Sequence, residues 1–338
     1  MTIIGDAWRS IGASTCSSSG WDARRVYPAS ACDIFAALGQ PGAIPGLLVE
    51  LESRTVPTSI RFPRSVGFTV HPETVIPGPN GKVRLCLVLA DNRYGDVFEV
   101  LVEDVAGAVG EASSDAEGLR VFVARLNIWQ AFMQKHGPDG LGPDEQAGLF
   151  AELVLLEKLA GNLPAGNVTG SWKGPLGGIH DFDFGGRCLE VKSSSTPSRP
   201  GFTVSSLVQL DETRVGLLLL CHAMLDIGSG ENGDTLPELV ERIRNRVGGE
   251  DVAALARLDG LLIQAGYLDT HASLYASRRF MVVCLRWFRV AGGFPRIRPS
   301  DARPGIVSAS YQVSIDACAS FATEEQEAVH LLLGTDHG

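Results

Sequence analysis

The stretch His180-Asp181-Phe182-Asp183-Phe184-Gly185-Gly186-Arg187-Cys188-Leu189-Glu190-Val191-Lys192 limits the fold more than any other part of the chain. Two adjacent glycines separate two runs in which apolar and polar residues alternate, the pattern of a hairpin closed by a two-residue turn. With Gly185 and Gly186 as the loop, the register follows. Phe184 faces Arg187, Asp183 faces Cys188, Phe182 faces Leu189, and Asp181 faces Glu190. Directly opposed residues share a face of the sheet. One face then carries Phe182, Phe184, Leu189 and Val191 and must be covered. The other carries Asp181, Asp183, Glu190 and Lys192.

The charged face is awkward without a ligand. Opposed Cβ atoms lie about 4.5–5.5 Å apart, where two carboxylates repel. A hard cation relieves this: Mg²⁺ takes oxygen ligands at about 2.0–2.1 Å and keeps several waters. Lys192 lies on the same face as Glu190 and about 6.5 Å further along. It can reach a phosphate oxygen or a water beside such an ion. Carboxylates, a cation and an ammonium are the parts that metal-assisted phosphodiester hydrolysis needs. The plainer reading is a solvated strand face with a cross-strand ion pair. Asp183, nearer the turn, is expected to be solvated or to support the site at one remove. Glu152 is the lone charge in the apolar run Ala147–Leu156. A buried carboxylate is costly unless paired or metal-bound, so Glu152 is a candidate to point at the same site; the alternative is the wet edge of an amphipathic helix. His180 is read most simply as structural, and Ser193–Ser198 as a polar loop whose hydroxyls could touch phosphate.

The 338 residues leave room for two or three domains. A 45% hydrophobic and 20% charged composition supplies a core and excludes a disordered chain. Residues 1–115 read mainly as strands and turns. Val83–Ala90 is one strand, Val97–Val105 a second with Phe98, Val100 and Val102 alternating, and Pro77–Gly81 a turn. Residues 106–115 are small and polar, a linker. Two helices follow: one has Leu119, Phe122, Leu126, Trp129 and Met133 on one face, and the other runs over Asp144–Ala160, stopped by Gly161. Beyond the hairpin, strands are expected at Val204–Leu210, Val215–Cys221, Phe280–Val290 and Ile306–Ile315. Helices are expected at Leu236–Val247, Asp251–Ala265 and Glu324–Leu333. The expected class is α/β (α+β), with a β-rich N-terminal module over 1–115 and an αβ core with a central mixed sheet over 116–338.

With 39 acidic and 29 basic side chains the net charge is -10. Bulk charge therefore cannot coat nucleic acid, and any contact needs a local basic surface or a partner. The clearest basic segment holds Arg278, Arg279, Arg286, Arg289, Arg296, Arg298 and Arg303; Arg242, Arg244 and Arg246 form a shorter one. These are the candidate phosphate contacts. Pairing with the surplus carboxylates is their alternative. The seven cysteines lie no closer than sixteen residues apart, which fits reduced thiols in a cytoplasm, each a small core residue. No signal peptide is expected at the N-terminus, and no apolar run reaches the roughly 20 residues of a membrane helix. Apart from His180, the histidines, at 71, 136, 222, 271, 330 and 337, show no metal-ligand spacing. No G-x-S-x-G, H-E-x-x-H or Walker loop is present, so ATP hydrolysis by the chain itself is not expected.

Asp181, the run Glu190-Val191-Lys192 on the adjoining strand, and a Glu on a preceding helix resemble the PD-(D/E)XK phosphodiesterase superfamily. More narrowly, the chain resembles the PD-(D/E)XK proteins of bacterial restriction and phage-defence gene clusters. The resemblance is carried by Gly148-Leu149-Phe150-Ala151-Glu152-Leu153, Trp172-x-Gly174-Pro175, His180-Asp181-Phe182, Leu189-Glu190-Val191-Lys192-Ser193 and Gln209-Leu210. Phe294-Pro295-Arg296-Ile297 and Tyr311 follow. It covers about residues 115–315, and the ordered set is more specific than E-x-K alone. His180 stands where the superfamily motif has Pro.

The resemblance implies a restriction-endonuclease-like core, with Asp181 and Glu190 as ligands of Mg²⁺ or Mn²⁺ and Lys192 as the catalytic lysine. It implies Glu152 as the helix carboxylate and Gln209 as an edge residue of the active site. It further implies a nuclease acting on DNA in restriction or phage defence, beside separately encoded helicase, ATPase or methyltransferase subunits; a homodimer is compatible with it. Two other readings stay open: a non-catalytic DNA-binding or scaffolding subunit of the same fold, and an RNA-directed nuclease.

Overall fold

The computed structural model describes residues 2–14, 18–76, 81–195, 201–230 and 232–334. Most of the expected turn at Pro77–Gly81, the loop residues Thr196–Ser198, and Cys16 and His337 lie outside that set. The chain divides into two compact units, Met1–Asp139 and Gly140–Gly338. The boundary expected at 115/116 falls instead at the start of a long helix that packs within the first unit.

In the N-terminal unit the helices are α1 (Ile3–Gly12), α2 (Gly95–Gly110) and α3 (Asp115–Lys135). The strands are β1 (Gly20–Val26), β2 (Asp33–Gln40), β3 (Ile44–Glu52), β4 (Phe68–Ile76) and β5 (Lys82–Leu89). They form one antiparallel sheet in the order β1-β2-β3-β5-β4. Ile34, Ala36, Leu47, Val49, Leu85 and Leu87 alternate along it and are fully buried. The module is therefore less purely β than its sequence suggests. Thr2 caps α1 by accepting from the Gly5 N–H. The segment expected as a strand at Val97–Val105 is part of α2. Its buried residues are Val97, Phe98, Leu101, Val102, Val105, Ala106 and Val109, a period of 3.6 that overrides the β preference of valine. On α3 all five predicted apolar residues are buried.

The second unit holds α4 (Pro143–Leu159), α5 (Ala165–Ser171), β6 (Phe182–Asp183), β7 (Arg187–Ser194), β8 (Gly201–Val204), β9 (Leu217–Gly228), β10 (Asp234–Thr235), α6 (Leu236–Glu250), α7 (Val252–Gln264), α8 (Ala272–Tyr275), β11 (Arg279–Arg289), β12 (Tyr311–Ser314), β13 (Ala322–Thr323) and α9 (Glu325–Leu333). Its main sheet runs β10-β11-β9-β7-β6, with β13 on β11. β7 and β9 are parallel and the other pairs antiparallel, so the sheet is mixed. β8 and β12 form a small second sheet. The strand expected at Val204–Leu210 does not form: β8 ends at Val204 and the chain turns away from it; of Ile306–Ile315 only Tyr311–Ser314 pairs.

The Gly-Gly hairpin forms in the expected register from Phe182 to Leu189. Phe182 pairs with Leu189 and Asp183 with Cys188. Gly185 and Gly186 both have positive φ, +74° and +89°, which a two-residue turn of this hand requires. Asp183 caps the turn through the Gly186 N–H at 2.8 Å.

Both faces of β7 are covered. Leu189 and Val191 pack with Phe182, Trp172 and residues of α4 in the larger core. Cys188 packs on the other face with Phe202, Val204, Leu210, Leu218 and Leu220. The cause is topological. Because β7 and β9 run parallel, the chain must return to the start of β9, and the returning segment covers the face that carries Glu190 and Lys192.

Candidate active site

A cleft of about 830 Å³ is lined by α4, β7, the β8 region and the loop after it. Glu152, Asp181, Glu190, Lys192 and Gln209, named from the sequence, all line it. On α4 the lining residues are Pro143, Asp144, Ala147, Gly148, Ala151 and Glu152. The small ones leave room for a ligand, while Leu149, Phe150, Leu153 and Leu156 are buried in the core.

Asp181 departs from the expected cross-strand pairing. The hairpin ladder ends at Phe182, and the Asp181 carbonyl accepts from the Lys173 and Gly174 N–H groups at 2.7 and 3.1 Å. Its carboxylate reaches across to β7, where Oδ2 accepts from the Val191 N–H at 2.7 Å. Burial pushes this carboxyl above its ordinary range, against the Val191 hydrogen bond and the Lys192 charge, which pull it down.

Glu190 is 1% exposed, so the solvated-face alternative does not hold for it. Oε1 meets the Lys192 ammonium at 2.8 Å. Oε2 is buried with no hydrogen-bond partner among the described residues. Burial, then the charge of Asp181, pushes Glu190 well above the usual carboxylate range; Glu152 adds to this and Lys192 opposes it. Lys192 also donates to Gln209 Oε1 at 3.3 Å, and that oxygen accepts from the Ser205 N–H at 2.9 Å. The return segment thereby gives the lysine a second anchor besides Glu190.

Glu152 is held by a residue whose role the sequence did not disclose. Trp172 Nε1 donates to Glu152 Oε2 at 2.7 Å. Two residues on, a Cβ on Gly174 would sit 2.8 Å from Glu152 Oε2 and 3.0 Å from Asp181 Oδ1. The Trp-x-Gly signature therefore orients one carboxylate and clears space beside two. Its signal was a tryptophan and a glycine two residues apart just before the hairpin, with no charge to mark them.

These residues fit a divalent cation. Asp181 and Glu190, both buried carboxylates, share the single ammonium of Lys192, so at full ionisation that pair carries one negative charge more than Lys192 offsets. Buried charge of that kind needs a counter-ion. Glu190 Oε2 and Asp181 Oδ1 are the atoms available to hold it. The carboxylates of Glu152, Asp181 and Glu190 do not all lie within 4.8 Å of one another.

The other candidates are dispersed. Arg278 lines the cleft, and Arg286 and Arg289 are exposed on β11. Arg279 is tied to Glu238 at 3.0 Å, and Arg298 to Asp301 at 3.1 Å. Arg296 is buried in an ion pair with Glu212, its side chain 3% exposed, which leaves it no surface for phosphate. Arg242 pairs with Glu157 and Asp234, Arg244 with Asp259 and Asp269, and Arg246 with the Ala160 carbonyl; these arginines brace helices. His180 is buried, and burial lowers its pKa. Asp183, spent on the turn, is not in the cleft lining. Ser193, Ser194 and Ser195 are in it, and Ser194 Oγ hydrogen-bonds His222 Nε2 at 2.9 Å. Burial and Arg286 hold His222 down to about 4. No helix among the described residues is long and apolar enough to cross a membrane.

Comparisons with curated proteins and with solved structures give no match. One family, described as "Putative PD-(D/E)XK family member (DUF4420)", matches residues 4–316. That span takes in most of both units, including every residue of the carboxylate-lysine cleft, and the chain belongs to this family.

Proposed function

We propose that the chain is a metal-dependent nuclease that hydrolyses phosphodiester bonds of DNA. The observation that carries this is Glu190: a carboxylate buried beside Asp181 and Lys192 in the cleft lining, with one oxygen unpartnered among the described residues. Asp181 and Glu190 would hold Mg²⁺ or Mn²⁺, and such an ion supplies charge neutralisation at the phosphate and acidifies the attacking water. Lys192, fixed between Glu190 and Gln209, presents its ammonium where charge grows on the phosphoryl oxygens. Glu152, oriented by Trp172, holds the proton side of the attacking water. Arg278 and the hydroxyls of Ser193 and Ser195 line the same cleft and serve the flanking phosphates.

Family membership supports the nuclease class. The restriction or phage-defence setting is part of the proposal and rests on the resemblance of the motifs. So is work beside helicase, ATPase or methyltransferase subunits, which the net charge of -10 favours. Cleavage of supercoiled, linear and single-stranded DNA with Mg²⁺ or Mn²⁺ tests it, with and without the neighbouring gene products. Wild type is expected to cut, and folded Asp181→Ala and Lys192→Ala are expected not to. Cutting that survives both substitutions would refute the site.

A further inference from the structure

The N-terminal sheet gathers a group of potential ligand side chains on residues the cleft does not use. His71 and Glu73 lie on the edge strand β4, and Cys86 on β5 directly opposite His71. One nitrogen, one carboxylate oxygen and the sulfur all lie within 4.8 Å of one another. Sequence spacing concealed them, since the pairing runs across strands.

We propose that His71, Glu73 and Cys86 form a binding site for a thiophilic divalent cation, zinc by its chemistry. Imidazole, thiolate and carboxylate together are a zinc donor set, and three protein ligands leave the fourth tetrahedral position open. With metal–ligand bonds of about 2.0–2.3 Å, tetrahedral donors lie roughly 3.3–3.8 Å apart. His71 Nε2 and Glu73 Oε1 are already 3.4 Å apart. Glu73 is otherwise held loosely, by Trp21 Nε1 at 3.4 Å and Arg84 at 3.9 Å, so it can turn inward. The Cys86 thiol lies within 4.8 Å of the Glu73 carboxylate. It is buried beside Ala37 and Leu48, which fixes the sulfur, while the half-exposed His71 gives the ion a way in. On binding, the thiol proton goes to solvent and the sulfur–metal bond replaces the S–H bond. The ion then ties the edge strand β4 to β5.

Titration of the full-length chain with Co²⁺, read by absorption, tests this. Expected at one equivalent are tetrahedral d–d bands and a thiolate-to-cobalt charge-transfer band, both abolished by Zn²⁺. Cys86→Ser should remove the charge-transfer band. His71→Ala, a half-exposed change that keeps the fold by circular dichroism, should weaken Co²⁺ binding at least about tenfold. Asp181→Ala should leave the band in place, which separates this site from the carboxylate cleft. Absence of the band in wild type, its survival in Cys86→Ser, unchanged affinity in His71→Ala, or its loss in Asp181→Ala would each overturn the proposal.

Discussion

Strands β5 and β7 are both interior strands with charged side chains at alternate positions, and they treat charge in opposite ways. On β5, Arg84 pairs across the sheet with Glu50 at 2.6 Å and also faces Glu73, with side chains 26%, 11% and 37% exposed. On β7, Lys192 pairs with Glu190 at 2.8 Å, with side chains 14% and 2% exposed. The first sheet leaves this face partly open to water, so a charge there needs only a neighbour. The second is covered on both faces, and Glu190 keeps a buried oxygen with no partner among the described residues. A paired surface charge is ordinary strand chemistry. A buried carboxylate left unsatisfied conflicts with the rest of the core, and such conflicts concentrate where function is.

The largest test of this contrast is truncation on each strand. Glu190→Ala should reduce metal-dependent cleavage by at least about 10²-fold, the loss typical when a group acting at the transition state is removed. Glu50→Ala should leave the rate unchanged. Comparable losses in both would mean that burial does not distinguish the two pairs.

Trp172→Phe comes next. The ring stays, but the 2.7 Å hydrogen bond to Glu152 goes. Removal of such a supporting partner is expected to lower activity about 10–100-fold, with the deficit in kcat and not in DNA affinity. Gly174→Ala should act in the same direction by crowding Glu152 and Asp181. A Trp172→Phe enzyme with full activity would remove Glu152 from the site.

How much of this could be read from the residues differs between the two regions. The Gly-Gly turn, the register of Phe182 with Leu189, and the gathering of Asp181, Glu190 and Lys192 follow from a period of two and a turn that permits one pairing. The displacement of Asp181 from the ladder does not follow, because it depends on the N–H groups of Lys173 and Gly174, outside the hairpin. Burial of the charged face is likewise set by the return path from β7 to β9, a long-range feature. In the N-terminal unit, Val97–Val105 carries both a two-residue and a 3.6-residue apolar pattern. Only packing of Val97, Leu101, Val105 and Val109 on one helix face chooses between them. The arginine run divides: Arg279, Arg296 and Arg298 are taken up by acids brought near by the fold, the alternative the sequence left open, while Arg278 lines the cleft and Arg286 and Arg289 stay exposed.

The contrast also has a pH signature. Glu190 has its pKa raised by burial, so the folded metal-free protein binds a proton more tightly there than the unfolded chain does. Stability is then full below the ordinary carboxylate range and falls as pH rises through the raised value. One such group gives a slope of at most about 1.4 kcal/mol per pH unit. Thermal melts in a chelator should show this decline, and Glu190→Gln should flatten it. Added Mg²⁺ should do the same for wild type, because the cation replaces the proton. A wild-type slope that Glu190→Gln leaves unaltered would assign the decline to other groups.

The smallest expected effect is the most demanding of the comparison. Arg84→Gln breaks the pair with Glu50 on β5 but leaves both groups some access to water. The Coulomb attraction there is screened, and freeing two long side chains returns entropy. The cost should stay within about 1 kcal/mol. It should shrink further in high salt, as a screened interaction does. Urea unfolding at two ionic strengths measures both. A larger, salt-insensitive loss would show that this face of the N-terminal sheet is covered as β7 is. The contrast would then rest on the cleft alone and not on how the two sheets meet water.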